Sequence, residues 1–214
     1  MFRKDIITTN FYYHIFNRGV NKDKIFFDEA DYSRFLETAI HYKSSVRQFS
    51  HSKRYNYPDT GSGQDAKVQV LAYCLMPNHF HFLIKQSADD GITSYMQHLS
   101  NSYSHYIHTK YKRTGPLFEG RFKNRLIETD EQLVHVSRYI HLNPLVSNLV
   151  DNLVRYKWSS YYSYITSSKD ELISDFNLVL GRFRSRKDYE QFVLDQSDYG
   201  KELERIKHLV MDLD

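Results

Sequence analysis

Residues 68–85 read VQVLAYCLM-PN-HFHFLIK. Two apolar runs, Val68–Met76 and His79–Lys85, flank Pro77-Asn78. Each run is short and rich in β-branched or aromatic residues, so the stretch predicts two strands joined as a hairpin. Side chains alternate along a strand. His79 and His81 then share one face of the second arm, and Phe80, Phe82 and Ile84 share the other. The phenylalanine face can pack under helices. The histidine face carries two imidazoles about 7 Å apart at the backbone.

The flanking sequence supplies those helices. Upstream, Phe11–Asn17 (FYYHIFN) reads as a strand and Arg18–Asn21 as a turn. Asp28 to Ser45 reads as a helix, with Phe35, Leu36, Ala39 and Ile40 at helical spacing. His51–Ala66 is polar, without period, and reads as a loop. Downstream, Ile92, Met96, Leu99, Tyr103 and Tyr106 mark an amphipathic helix over Asp89–Tyr111, broken by Gly115-Pro116. A further strand is expected within Phe118–Ile127. A helix follows over Thr129–Asn143, opened by a Thr129/Gln132 capping box and expected to stop before Pro144. The first six elements spell βαββαβ, an α+β ferredoxin-like sandwich with an antiparallel sheet. The helix and a helical C-terminal extension complete it. We expect one domain over residues 1–150 and the extension over 151–214.

Composition narrows the function classes. With 214 residues and 41% apolar side chains the chain can bury a core and is not a disordered tail. A single cysteine, Cys74, excludes a disulfide framework and any multi-cysteine metal site. No apolar run reaches the length of a membrane span, and the N-terminal residues hold none of signal-peptide length, so a cytoplasmic location is expected. The net charge of +3 is too small to argue for nucleic acid alone. The 18 Tyr, 14 Phe and 11 His are unusual, and they favour stacking and nitrogen ligation over acid or thiol chemistry.

Three local features carry chemistry. His79 and His81 are too few for a closed structural zinc site. They suit an open metal site completed by one more protein ligand and substrate oxygens, or else a solvated strand face. In the capped helix, Leu133, Val136 and Ile140 mark a buried stripe, while His135, Tyr139 and Asn143 recur every four residues on another face. Tyr139 there is either packed with a wet hydroxyl or placed beside metal- or phosphate-binding neighbours. The run KYKRTGPLFEGRFKNR, residues 110–125, sets Lys110, Lys112, Arg113, Arg121, Lys123 and Arg125 against one acid, Glu119, with aromatics interleaved. That composition suits single-stranded or hairpin nucleic acid, or a solvated loop.

Three blocks together carry a resemblance: Tyr73–His81 (YCLMPNHFH), Gly115–Phe122 (GPLFEGRF) and Arg138–Pro144 (RYIHLNP). In this order and spacing they resemble the single-tyrosine HUH transposases, and among them the REP-associated tyrosine transposases, over roughly residues 11–150. The resemblance implies that His79 and His81 ligate a divalent metal, magnesium or manganese, and that Tyr139 is the nucleophile. It implies that Asn143, one turn on, stands where relatives place a further polar ligand. It also implies cutting and rejoining of single-stranded DNA, with hairpin DNA as partner, no membrane, and a monomer or homodimer. The stretch Lys43–Ala66 is longer than the family leads one to expect. Two rival functions remain: a hairpin-binding module without turnover, and an unrelated metal-dependent hydrolase using a group such as His135 to activate water.

Overall fold

The structure, a computed structural model, describes residues 6–43 and 66–195. The loop expected over His51–Ala66 lies outside the described residues except for Ala66, as does the end of the helix expected to reach Ser45. Strand β1 (Tyr12–Arg18) leads to helix α1 (Glu29–Lys43), the hairpin β2 (Val68–Met76) and β3 (His79–Gln86), helix α2 (Gly91–Tyr111) and strand β4 (Lys123–Ile127). Helix α3 (Asp130–Val146) follows, then α4 (Tyr161–Thr166), α5 (Asn177–Leu180) and α6 (Arg186–Leu194). The strands form one sheet in the order β2-β3-β1-β4, with every neighbouring pair antiparallel. That is the ferredoxin-like arrangement.

Alternation gives the sheet two working faces. On one, Tyr13 and Ile15 from β1 and Phe80, Phe82 and Ile84 from β3 pack beneath α1 and α2. Phe35 of α1 sits at the centre, its ring 5.2 Å from Phe80 and 4.9 Å from Tyr103. On the other face, α3 and the C-terminal helices cover Ala72, Cys74, Met76 and Leu83. A register shift between Val70 and Ala72 lets Leu71 join Ala72 in this second core. Such a shift is how a strand re-aims side chains without breaking its pairing.

The hairpin turn is pinned from outside. Pro77 O accepts from Ile25 N and Phe26 N, and Asn78 O accepts from Gly19 N at 2.8 Å. Gly19 is required there, because a Cβ would lie 2.1 Å from Asp23 O. The β2 edge is covered as well. Leu75 N donates to Trp158 O, Ser160 N donates to Tyr73 O, and the hydroxyls of Tyr156 and Tyr164 donate to Leu75 O and Leu71 O. Backbone groups that would template aggregation are thereby used.

The strand expected within Phe118–Ile127 is β4, and Phe118 itself makes an isolated bridge to Gly19. Three expectations need correction. Arg18 belongs to β1 and not to the turn. Helix α3 runs through Pro144 to Val146. Pro144 removes one helical hydrogen bond, but its ring is buried and Ser147 N still reaches Asn143 O, so packing outweighs the local rule. The buried stripe of α3 also differs: Val136 is only half-buried, and Ser137 and His141 are buried with Leu133 and Ile140. They are buried because each has a partner. His141 reaches the Tyr189 hydroxyl at 2.7 Å and Ser160 Oγ at 2.8 Å, and Tyr189 donates to Ser137 Oγ at 3.1 Å. This satisfied network ties α3 to α6 and to the β2 edge. The N-terminal cap is as expected, with Thr129 Oγ1 accepting from Gln132 N. Among the described residues no helix is long and apolar enough to cross a membrane.

Candidate active site

Alternation along β3 brings His79 and His81 to the α3 face, with ring centroids 4.9 Å apart and planes at 85°. His81 is fully buried and His79 half-buried. Both rings are held through Nδ1. Asn78 Oδ1 lies 2.7 Å from His79 Nδ1, while Asn78 Nδ2 donates to Lys22 O at 3.0 Å. His14 Nε2, on the neighbouring strand, lies 2.9 Å from His81 Nδ1. Burial, reinforced by the Arg125 charge, pulls the His14 pKa down to about 3, so its ring is neutral. The Nε2 atoms of His79 and His81 are both buried.

Helix α3 lays Tyr139 over this group. Its ring meets His81 edge-on at 5.4 Å and His14 at 5.7 Å. The Tyr139 hydroxyl is buried and makes no hydrogen bond. Other tyrosines do better: Tyr103 donates to Ile25 O at 2.6 Å, and Tyr106 and Tyr111 donate to Asp31. Tyr95 shares the unmet hydroxyl, but it lies in the α1–α2 core on the opposite face of the sheet. Burial pushes the Tyr139 phenol up to about 12, and the adjacent Asn143 side chain pulls the other way. Asn143 Nδ2 donates to Tyr139 O at 2.9 Å, while its Oδ1 is buried without a hydrogen-bond partner.

This donor set fits a divalent cation. It offers two imidazole nitrogens and one amide oxygen with an unmet lone pair. Among the described residues no group of three or more His, Cys, Asp or Glu could hold a metal. Asn143, one turn on from Tyr139, adds a buried amide oxygen to the two imidazoles. His135 does not join the group. Its side chain is 46% exposed, sits against Arg138 at 2.6 Å, and packs on Phe192. A step of four residues on a helix turns about 40° past a full circle. Over two such steps the face expected to unite His135 with Asn143 diverges.

The basic run divides between the two sides of the molecule. Lys123 and Arg125 pair across the sheet with Phe16 and His14, which puts them on the histidine face. Lys123 lines the cleft beside His79 and His81 together with Arg18 and Glu119, and Arg121 is exposed just before it. Arg18 and Glu119 form an ion pair at 2.5 Å. Lys110, Lys112 and Arg113 end up at and beyond the C-terminus of α2. Lys110 is held there by Asp28 and Asp31, each at 2.7 Å, and Arg113 lies 5.8 Å from the Phe27 ring.

The sequence profile of the IS200-like transposases matches residues 38–143. That span contains the histidine pair, Tyr139 and Asn143. Over those residues the chain is similar to the IS200-like transposases. A Haemophilus influenzae protein named for the REP-associated tyrosine transposases is 24% identical over 105 residues. That match covers 44% of this chain and 59% of the relative, so it spans less than two thirds of the relative's length. A solved REP-associated tyrosine transposase bound to a REP hairpin aligns over 82% of this chain and 92% of its own, with a TM-score of 0.57 and 14% identity. At that identity the likeness is one of fold.

Two residues near the site were not singled out by sequence. His14 touches both His81 and Tyr139, and Arg18 stands directly opposite His79 in the β1–β3 register. Neither has a motif of its own. Their relevance comes from strand register, which the residues of β1 alone do not encode.

Proposed function

We propose that this chain is a transposase of the REP-associated tyrosine kind. In this reading it binds DNA hairpins and cuts and rejoins single-stranded DNA through a 5′-phosphotyrosine on Tyr139. The observation that carries the reading is the Tyr139 hydroxyl, buried without a hydrogen bond and packed on His81. An unmet buried hydroxyl costs about 1–3 kcal/mol, and this one, unlike that of Tyr95, stands beside an imidazole pair and an unpaired amide oxygen that a ligand would complete.

His79, His81 and Asn143 would hold a magnesium or manganese ion, which when bound would supply positive charge for the scissile phosphate and for the charge that develops in an in-line attack. Tyr139 Oη forms the new bond to phosphorus as the bond to the 3′-oxygen breaks. The phenolic proton leaves Tyr139, and the departing 3′-oxygen becomes a hydroxyl. A second 3′-hydroxyl reverses the exchange and reseals the strand. Arg18 and Lys123 offer positive charge at the cleft for the flanking phosphates. The α3 network through His141, Ser160 and Tyr189 keeps the nucleophile against its own sheet.

The test uses short hairpin oligonucleotides with single-stranded flanks, drawn from DNA beside the gene, with manganese added. A protein–DNA band that survives denaturation is expected, and peptide mapping should place the nucleotide on the tryptic fragment beginning after Arg138. Binding without any adduct would favour a hairpin-binding module. Cleavage retained by Tyr139→Phe would favour the metal-dependent hydrolase.

A further inference from the structure

Each imidazole of the histidine pair has a short contact at Nδ1. For His79 the polarity of that contact is settled by the surroundings. Asn78 Nδ2 is committed to the Lys22 carbonyl at 3.0 Å, so the atom 2.7 Å from His79 Nδ1 is the amide oxygen. An amide oxygen only accepts. His79 therefore carries its proton on Nδ1 and its lone pair on Nε2. For His81 the neighbour is His14 Nε2 at 2.9 Å, and one proton lies between the two nitrogens. Either ring could own it. If His14 owned it, His81 would carry its proton on Nε2 and present no lone pair there.

We propose that His14 is a positioning residue: its Nε2 accepts from His81 Nδ1–H and so fixes His81 in the tautomer whose Nε2 can ligate a metal. The inference rests on the proposed role of His81 as a ligand. It has three supports. The same arrangement already exists at His79, where Asn78 Oδ1 does the accepting. His14 is 3% exposed, so water does not compete for the shared proton. The His14 ring is also fixed in place, stacked on His81 with centroids 5.0 Å apart and edge-on to Tyr139 at 5.7 Å. A metal-ligating histidine held through its other nitrogen is both oriented and more basic, and loss of such a partner costs about 10–100-fold in metal affinity.

The experiment begins with the metal-free wild-type protein and long-range 1H–15N correlation spectra of its histidines. His81 is expected as the Nδ1–H tautomer; an Nε2–H signature would overturn the proposal without any variant. His14→Phe keeps a ring against Tyr139 and removes the acceptor. It should move His81 toward the Nε2–H tautomer and weaken Mn2+ binding by about 10–100-fold in calorimetry. His14→Gln, whose side-chain oxygen can accept, should recover part of that loss, which a purely packing role would not allow. Unchanged Mn2+ affinity and tautomer in His14→Phe would sink the idea. Failure of the wild type to bind Mn2+ would instead sink the metal reading, and the tautomer measurement would still decide the role of His14.

Discussion

The two faces of the sheet differ in how they treat polar atoms, and β3 contributes to both through alternate residues. On the α1–α2 face, Phe80, Phe82 and Ile84 pack on Phe35 and its neighbours, and the buried Tyr103 hydroxyl is capped by Ile25 O. On the α3 face, His79 and His81 stand under Tyr139, whose hydroxyl has no partner, beside an Asn143 oxygen that has none either. The first face also leaves one hydroxyl unmet, that of Tyr95, but it stands among apolar side chains. On the second face the unmet atoms gather beside two imidazoles, which is the pattern expected where a ligand completes the bonding.

The largest expected effect separates the faces by one oxygen. Tyr139→Phe should abolish the covalent DNA adduct, read on a denaturing gel, while leaving Tm unchanged or raised, because it deletes an unmet buried hydroxyl. Tyr103→Phe, on the other face, should lose about 1 kcal/mol of stability with its hydrogen bond and keep the adduct. An adduct in Tyr139→Phe would break the comparison.

The next pair lies on β3 itself. His79→Ala or His81→Ala should eliminate cleavage and lower Mn2+ binding in calorimetry, yet retain most hairpin affinity, since the neighbouring cations Arg18 and Lys123 are left in place. Phe82 follows His81 on the strand and faces the other way. Phe82→Ala should cost about 3–5 kcal/mol in urea unfolding. Normal cleavage by His79→Ala in magnesium or manganese would remove the metal role.

What is legible in the sequence is what depends on short-range pattern. The alternation in His79–Ile84 marks the two faces, and Thr129 with Gln132 marks the start of α3. Pro144 misleads because the rule for proline is local, whereas burial under the C-terminal segment is not. The 110–125 run misleads because neighbours in sequence need not be neighbours in space. The turn at Gly115-Pro116 separates the α2 end from β4, so its cations fall on different sides. His14 and Arg18 are illegible for a third reason: only the pairing of β1 with β3 brings them to the histidines.

The smallest expected effect concerns those cations and sharpens the comparison most finely. Lys123 and Arg125 lie on the histidine face and Arg121 beside it, while Lys110 is already neutralised by Asp28 and Asp31. If hairpin DNA engages the histidine face, removing one phosphate-binding cation there should reduce the slope of log affinity against log salt by about 0.7–0.9. Arg121→Ala with Lys123→Ala should therefore weaken binding and flatten that slope by up to about two such steps, measured by fluorescence anisotropy across a salt series. Lys110→Met should leave the slope unchanged, because its charge is spent within the protein; what it should lower is stability, by leaving the buried Asp31 without its cation. Equal slopes for the two variants would mean that DNA does not distinguish the faces, and equal affinity for blunt duplex and flanked hairpin would mean that single-stranded structure is not what the histidine face reads.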